Sequence, residues 1–159
     1  MNEKSETNDL CRIDKRAIEA LAIVPIIRAV AKRIGKESAL DILRDVNQQE
    51  AFQRGRNMAK LKGHNGINEL VDDVASWGAG GIWEMEVLEQ TSTTYFFNVL
   101  RCPYYEKYSA LGVDEFGVAL SCCRDEPFAR GLNPKLSLRR SQTIMEGADY
   151  CDFRYYLQS

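Results

Sequence analysis

The sequence predicts an α+β fold, in which N-terminal helices pack on an antiparallel sheet of about four strands. Up to Trp77 the apolar residues recur at helical spacing, whereas after the following glycine-rich stretch strand-like and helix-like segments mix. The chain has 159 residues, enough for one ordinary domain and few for two. We therefore predict a flexible N-terminus (1–11) and a single domain (12–159), with a helical half at 12–77 and a sheet-containing half at 81–159.

Three helices are predicted in the first half, over residues 12–34, 37–61 and 67–77. Asp14 can cap the first helix, because its carboxylate can accept hydrogen bonds from the free amides of the first turn. Pro25 should bend or break the same helix, because it lacks an amide proton and its ring crowds the preceding turn. Apolar residues at helical spacing predict the buried sides, including Ile18, Leu21, Ile26 and Ile34 on the first helix and Ile42, Leu43 and Val46 on the second.

The second half is predicted to contain two pairs of strands. Segments rich in β-branched and aromatic residues form the first pair at 82–89 and 93–100, and the second pair covers 135–145 and 150–157. Between the pairs the pattern is helical. Short helices are expected at 103–111, from Asp114 toward Cys122, and at 126–130, the last one capped by Asp125 and ended by Gly131.

Composition argues against several classes of partner. The formal net charge is −2, and no apolar run approaches the ~20 residues that a membrane span needs. We therefore expect neither a nucleic-acid nor a membrane role, and the small-molecule substrate that we expect is implied by a family resemblance described below. The N-terminus lacks the pattern of a secretory signal, which favours a cytoplasmic location. Exposed aromatic side chains on one short helix, expected at Tyr104, Tyr105 and Tyr108, leave room for a homodimer.

Five cysteines are present, and four of them lie in the last sixty residues. An odd number without a secretion signal predicts reduced thiols and no disulfide framework. No Cys-x-x-Cys pair is present, and no glycine motif of the phosphate-binding kind, so we expect neither a metal nor a cofactor. His64 is the only histidine, and it lies in a polar, glycine-flanked loop where solvent exposure is expected.

Cys102 stands where a predicted strand meets a predicted helix, between Arg101 and Pro103. The positive end of a helix dipole lowers the pKa of a thiol at the helix start, and the arginine adds a nearby positive charge. This position suits a nucleophilic thiolate or a substrate anion. The alternative is a small buried residue that fills the start of the helix.

Cys122 and Asp125 form a second candidate group. Three residues separate them, so on a helix they share a face. A carboxylate beside a thiol can act as a general base or can position a water molecule. A helix end with one buried cysteine and a capping aspartate is the structural alternative, and Cys123 should point elsewhere.

The last predicted strand carries a third group. Cys151, Phe153 and Tyr155 share one of its faces, whereas Asp152 and Arg154 alternate onto the other and could pair there. An ordinary hairpin with one charged side would show the same pattern.

Taken in order, several short motifs resemble those of the L-2-amino-thiazoline-4-carboxylate hydrolase family. They cover about the last sixty residues at compatible spacing, while the helical half matches in general shape only. The motifs are Cys102-Pro103-Tyr104, Leu111-Gly112, Cys122-x-x-Asp125, Asn133-Pro134, Thr143-x-x-x-Gly147 and Cys151-Asp152-Phe153-Arg154. The glycine turn followed by Cys-x-Phe is also similar to the vinyl-reductase-type small-ligand-binding domain, a likeness of fold more than of function.

The family resemblance implies hydrolytic opening of a 2-amino-thiazoline ring to give an N-carbamoyl-cysteine. Such chemistry needs a nucleophile or activated water, an acid for the departing thiolate, and a cation for the substrate carboxylate. The hypothesis is that Cys102 or Cys122 is the nucleophile or orients the substrate, and that Asp125 is the general base. The remaining candidates for substrate binding are Arg101, Arg124, Arg140, Thr143, Glu146, Cys151 and Asp152.

Two other functions stay open at this point. One is a non-catalytic small-ligand-binding or sensor domain, which the vinyl-reductase-type likeness favours. The other is a metal or redox protein that uses the cysteine cluster, as a zinc or iron–sulfur site would. An accessible activated thiol or an acid–base pair in a pocket would favour the enzyme over the first, and a metal assay would decide the second.

Overall fold

A computed structural model describes residues 10–63 and 65–158. It confirms the α+β class, with N-terminal helices packed with a four-stranded antiparallel sheet. Short 3-10 turns precede α5, α6 and β4. In chain order the elements are α1 (Arg12–Ile34), α2 (Lys36–Lys62), α3 (Ile67–Ala75), β1 (Glu84–Gln90), β2 (Thr94–Arg101), α4 (Pro103–Ala110), α5 (Gly117–Leu120), α6 (Asp125–Leu132), β3 (Leu136–Arg139) and β4 (Cys151–Leu157).

The sheet has the strand order β1-β2-β4-β3, and every neighbouring pair is antiparallel. Register between the two central strands places Phe97 opposite Phe153 and Tyr95 opposite Tyr155. These aromatic side chains alternate onto one face and are buried, because successive residues of a strand point to opposite sides. The face shared by Cys151, Phe153 and Tyr155 is therefore confirmed as a core face.

The third strand is shorter than the predicted segment 135–145, because β3 ends at Arg139. After it, the backbone amides of Ser141 and Gln142 donate to the carboxylate of Asp152 at 3.0 and 2.9 Å. Thr143 then caps a 3-10 turn by accepting from the amide of Glu146. Side-chain oxygens satisfy these amides in place of a strand partner, which ends the ladder.

The structure contradicts a break of α1 at Pro25 and an N-cap at Asp14. The helix continues through Pro25, which lies on the exposed side, where water can satisfy the carbonyl that the proline leaves without a donor. The cap is Cys11, whose sulfur accepts from the amide of Asp14 at 3.4 Å. The Asp14 carboxylate instead accepts from the Cys11 thiol and pairs with Lys107. The flexible segment predicted over 1–11 lies mostly outside the described residues, which begin at residue 10.

The buried side of α1 also differs from the predicted stripe. Ile18, Leu21, Ile26 and Ile34 are 48–63% exposed, and on α2 Ile42 and Val46 are exposed while Leu43 is buried as predicted. The core side of α1 is made mostly of smaller residues, namely Ile13, Ala17, Ala20, Val24 and Ile27. Both sides of this helix are apolar, so helical spacing alone could not tell them apart.

Gly131 does not end α6 but lies buried within it, because there the helix crosses α2 closely. A Cβ atom built on Gly131 would lie 2.1 Å from the carbonyl oxygen of Phe52, and one built on Gly55 would lie 2.2 Å from that of Phe128. The two glycines thus permit backbone-to-backbone contact between the helices. A glycine inside a helix normally weakens it, but Gly55 is where α2 packs on α6.

Two of the three tyrosines of α4, Tyr104 and Tyr108, make hydrogen bonds inside the protein, and the homodimer stays a prediction. Tyr108 is buried, with its hydroxyl 2.7 Å from that of Ser121, and the Tyr104 hydroxyl donates to the carbonyl of Trp77 at 3.1 Å. In the described part of the chain, no helix combines the length and apolar character that crossing a bilayer requires.

The α2–α6 crossing predicts an unusual response to a helix-favouring substitution. Alanine normally stabilises an exposed helix by about 1 kcal/mol relative to glycine. We expect Gly55→Ala instead to lower the free energy of unfolding by about 1–3 kcal/mol, because the added methyl group forces the helices apart. Urea denaturation measures this change. Asn57→Ala, on the exposed side of the same helix, should stay within about 0.5 kcal/mol of the wild type. Equal or higher stability of Gly55→Ala would contradict the close crossing.

Candidate active site

A cavity of about 80 Å³ opens where α1 and α2 meet the central strands of the sheet. Its wall combines aromatic side chains, namely Trp77, Trp83, Tyr104 and Phe153, with three cysteines and five arginines. The volume is several times the roughly 10–15 Å³ that a single water needs, so the cavity has room for a group larger than one water molecule. Apolar walls with a few converging polar groups are typical of ligand sites.

Asp125 is the only carboxylate in the wall of the cavity among the described residues, and it is the first residue of α6. Its Oδ2 accepts a hydrogen bond from Nη1 of Arg140 at 2.6 Å, and Nη2 of the same guanidinium donates to the carbonyl of Cys122 at 2.9 Å. The guanidinium also lies over the ring of Phe153 at 5.0 Å. The side chains of Asp125 and Arg140 are 18% and 16% exposed, so the pair faces the cavity from a nearly buried position.

The surroundings act on the pKa of both partners. Burial raises the pKa of Asp125, and the charge and hydrogen bond of Arg140 only partly offset this effect. Burial alone would lower the pKa of Arg140, but Asp125 outweighs it and the pKa lies above its usual value. Arg140 therefore remains a cation, and the carboxylate form of Asp125 is a stronger base than an ordinary aspartate. A raised pKa and a cavity wall are the combination that a general base requires.

Three thiols from three different segments line the cavity. Cys102 precedes α4, Cys122 lies in the turn before α6, and Cys151 opens β4. The amide of Ile144 donates to the sulfur of Cys151 at 3.2 Å. Cys123 points away, since its thiol donates to the carbonyl of Ala119 at 3.2 Å, as predicted.

The lowered pKa expected for Cys102 is wrong. Burial raises its pKa, and although the amides of Tyr105 and Tyr104 at the start of α4 act in the predicted direction, they are weaker than desolvation. Burial also raises the pKa of Cys151 to about 11 and that of Cys122 well above the usual range for a thiol. The three groups are therefore neutral thiols at neutral pH, which donate hydrogen bonds and are poor nucleophiles.

Four of the predicted binding residues lie outside the cavity wall. Arg101 is on the surface, where its guanidinium pairs with Glu106 at 2.5 Å and with Glu84 at 3.8 Å. The Thr143 hydroxyl donates to the carboxylate of Glu146 at 2.7 Å. Those two residues stabilise the 3-10 turn before β4, and Asp152 stabilises the segment after β3.

Arg154 does not pair with Asp152, contrary to the strand pattern. Its guanidinium donates to the carbonyl of Phe97 at 2.8 Å and to the side-chain oxygen of Asn98 at 2.9 Å. The Asp152 carboxylate instead accepts hydrogen bonds from Ser141 and Gln142 in the segment after β3, and these donors take the place of Arg154. His64 lies outside the described residues.

Arg124 lines the cavity as predicted, but its guanidinium is already engaged. It donates to the side-chain oxygen of Asn47 at 2.6 Å and pairs with Glu50. Burial lowers its pKa to about 10, and the positive charge of Arg16 adds to that effect. Only 7% of the side chain is exposed, so its first role is to join α2 to the turn before α6.

Sequence reasoning missed the contribution of the helical half. Arg12 and Arg16 on α1 and Arg54 on α2 reach the cavity, and both tryptophans of the chain line it. The signal available in the sequence was the spacing of Arg12 and Arg16, which puts them on one helix face. Within residues 10–63 and 65–158, no three histidine, cysteine, aspartate or glutamate side chains are grouped so that they could hold a metal ion.

Together, the fold and the cavity define a small α+β protein with an arginine-rich cavity lined by three thiols. A sequence model of the L-2-amino-thiazoline-4-carboxylic acid hydrolase family matches residues 15–155. The chain therefore belongs to this family, and the resemblance seen in the last sixty residues extends over nearly the whole chain. No relative was matched among the curated proteins.

The raised pKa values predict slow alkylation of the cavity thiols. At pH 8 a thiol with a pKa of about 11 is ionised in roughly one molecule per thousand. We expect iodoacetamide to modify Cys102, Cys122 and Cys151 far more slowly than in the urea-unfolded chain, with rates that rise through pH 9 to 10. Peptide mass spectrometry measures each site separately. Rapid modification of one of them in the folded protein at pH 7 would reveal a thiolate and contradict this account.

Proposed function

We propose that the protein hydrolyses a small cyclic amidine-like carboxylate, and that L-2-amino-thiazoline-4-carboxylate is opened to N-carbamoyl-L-cysteine. The observation that carries this proposal is the Asp125 carboxylate, held by Arg140 in a small, otherwise cationic cavity. Membership of the family supplies the ring chemistry, and the cavity supplies groups that suit each of its requirements.

The size and charge of the cavity suit such a substrate. The ring with its carboxylate has fewer than ten non-hydrogen atoms, which is on the order of the space available. Five guanidinium groups favour the carboxylate, and Asp125 can accept hydrogen bonds from the amidine nitrogens. Aromatic rings on the wall provide flat surfaces for the heterocycle.

Water is the nucleophile in the proposed reaction. Asp125 takes a proton from a water molecule whose oxygen forms a bond to C2 of the protonated ring, giving a tetrahedral intermediate. The C2–S bond then breaks, its electron pair stays on sulfur, and the hydroxyl on C2 becomes the carbonyl as it loses its proton. The thiolate takes up a proton, and the products balance as substrate plus one water.

The thiols take a supporting role in this route. As neutral groups, Cys102 and Cys122 are hydrogen-bond donors, and either can donate toward the leaving sulfur. A covalent route would need a thiolate, which burial disfavours at each of the three positions. Arg140 keeps Asp125 oriented and ionised without itself exchanging protons.

Substitution of Asp125 tests the proposed base. We expect Asp125→Asn to lower kcat for L-2-amino-thiazoline-4-carboxylate by about 10²–10⁴-fold, because the amide cannot accept the proton from water. Release of free thiol by metal-free protein measures the rate. Glu126→Gln is the matched control, since Glu126 is the next acidic residue of α6 and pairs with Arg130 outside the cavity.

Cysteine variants separate the water route from the covalent one. Single Cys102→Ser, Cys122→Ser and Cys151→Ser variants should keep measurable turnover, because none of the three forms a bond to the substrate. Complete loss of activity in a folded single cysteine variant, with Asp125→Asn still active, would assign the reaction to that thiol. A folded wild type that binds the ring but never opens it would favour a binding domain.

The pH profile tests the Asp125–Arg140 pair. Arg140 lowers the pKa of Asp125, so Arg140→Gln should raise that pKa further above its already elevated value. Asp125 acts as a base only when it is ionised. The acid limb of the kcat/KM profile should therefore move to higher pH in the variant, beyond any change in maximal rate. An acid limb that stays in place would show that a different group controls it.

A further inference from the structure

A second polar cluster lies on the helical side of the cavity, where α1, α2 and the end of α3 meet. Asp73 Oδ1 accepts from Nη2 of Arg12 at 3.1 Å, and its Oδ2 lies 3.7 Å from Nη2 of Arg54. The same Oδ2 accepts from Nε1 of Trp77 at 2.9 Å. The Asp73 side chain is 1% exposed, whereas those of Arg12 and Arg54 are 26% and 31% exposed. The Asp73 carboxylate is thus buried behind the cavity wall, whereas the guanidinium groups of Arg12 and Arg54 form part of that wall.

The ion pairs around the cavity leave this cluster with a surplus positive charge. Among the described residues, each of the other three arginines of the wall has a carboxylate partner of its own. These pairs are Arg16 with Glu19, Arg124 with Glu50 and Arg140 with Asp125. Arg12 and Arg54 share the single carboxylate of Asp73. The wall therefore carries one positive charge more than its own acids offset, which a ligand with a single carboxylate group would pair.

Arg54 also has an unused donor. Its Nε is buried, and no hydrogen-bond acceptor lies within reach among the described residues, while its guanidinium packs over Phe128 at 4.2 Å. Burial lowers the pKa of Arg54, and the positive charges of Arg12 and Arg16 add to this effect. A buried donor without an acceptor is costly, and an anion beside it would offset both the missing bond and the repulsion.

We infer that Arg12 and Arg54, held in place by Asp73, form the carboxylate-binding subsite of the cavity for a small substrate that bears one carboxylate. This assignment rests on the proposed function for the identity of that substrate. Arg12 and Arg54 are binding residues, and Asp73 is a positioning residue that fixes the spacing of their guanidinium groups. Arg140 and Arg124, the arginines that sequence reasoning favoured, are committed to carboxylates of the protein itself.

The two tryptophans of the chain allow a direct binding test. Trp77 and Trp83 both line the cavity, so their fluorescence reports its occupancy without any need for turnover. The probes are L-2-amino-thiazoline-4-carboxylate and 2-amino-2-thiazoline, which is the same ring without the carboxylate. Because the active protein would hydrolyse the first probe, its fluorescence response is read immediately after rapid mixing or is measured in the Asp125→Asn variant.

The wild type should bind the carboxylate-bearing ring roughly 10- to 100-fold more tightly than the bare ring, as expected for a charge-assisted contact. Arg12→Gln and Arg54→Gln should each lose most of that preference, with affinity for the bare ring nearly unchanged. The matched controls are Arg28→Gln on α1 and Arg44→Gln on α2, whose ion pairs with Glu115 and Asp41 lie outside the cavity wall. Both controls should keep the wild-type preference.

Asp73→Asn separates positioning from net charge. This change makes the cavity more positive, so a purely electrostatic effect would strengthen binding of the carboxylate. A positioning role predicts the opposite result, a weaker preference for the carboxylate-bearing ring in a variant whose circular dichroism shows that it is folded. Stronger binding of the carboxylate-bearing ring in folded Asp73→Asn would overturn the positioning role of Asp73. If Asp73→Asn does not fold, Arg12→Gln and Arg54→Gln still test the subsite.

The outcomes distinguish this subsite from the proposed function. Turnover in the wild type, with an unchanged carboxylate preference in Arg12→Gln and Arg54→Gln, would overturn the subsite alone. If the wild type neither binds nor opens either ring, the proposed function fails, and thiazolidine-4-carboxylate and L-proline are titrated instead. A fluorescence response in the wild type that Arg54→Gln lacks would uphold the carboxylate subsite, and no response to any monocarboxylate would overturn it.

Discussion

The contact between Asp125 and Arg140 is the interaction on which the site depends. It joins the start of α6 to the segment after β3, and through the carbonyl of Cys122 it also fixes the turn before α6. A buried carboxylate without a partner would be protonated and unable to act as a base, whereas the guanidinium keeps it ionised. Burial still raises the pKa of Asp125, so the carboxylate that Arg140 holds is also more basic than an ordinary aspartate.

The rest of the cavity follows from where that pair is placed. Desolvation raises the pKa of the thiols of Cys102, Cys122 and Cys151, so the cysteine cluster provides neutral donors around the carboxylate. The helices α1 and α2 add further arginines to the cavity wall, and the positive charge of the wall exceeds the negative charge of the carboxylates paired with it. The close α2–α6 crossing at Gly55 and Gly131 holds the helix that carries Asp125 against the helix that carries Arg54. The close packing of α2 on α6 thus also fixes the positions of Arg54 and Asp125 in the cavity wall.

The sequence predicted the strand segments at 82–100 and 150–157 well, because β-branched and aromatic residues are concentrated there, and the thiol motifs named Cys102, Cys122, Asp125 and Cys151, which all line the cavity. It could not predict which side of α1 is buried, since both sides are apolar and the small residues of the core side give the weaker signal. The pKa of Cys102 was predicted in the wrong direction because the depth of burial, which decides it, is a tertiary property. Arg12, Arg54 and Asp73 come together from three helices, and their spacing along the chain gives no sign of that.

A crystal structure of the Asp125→Asn variant with L-2-amino-thiazoline-4-carboxylate tests the central claim most directly, because substrate should remain bound where the base is absent. The account predicts the ring in this cavity, with C2 nearest position 125 and Arg140 and with the substrate carboxylate on Arg12 and Arg54. A ring bound elsewhere, or bound with C2 against one of the cysteines and away from position 125, would contradict it.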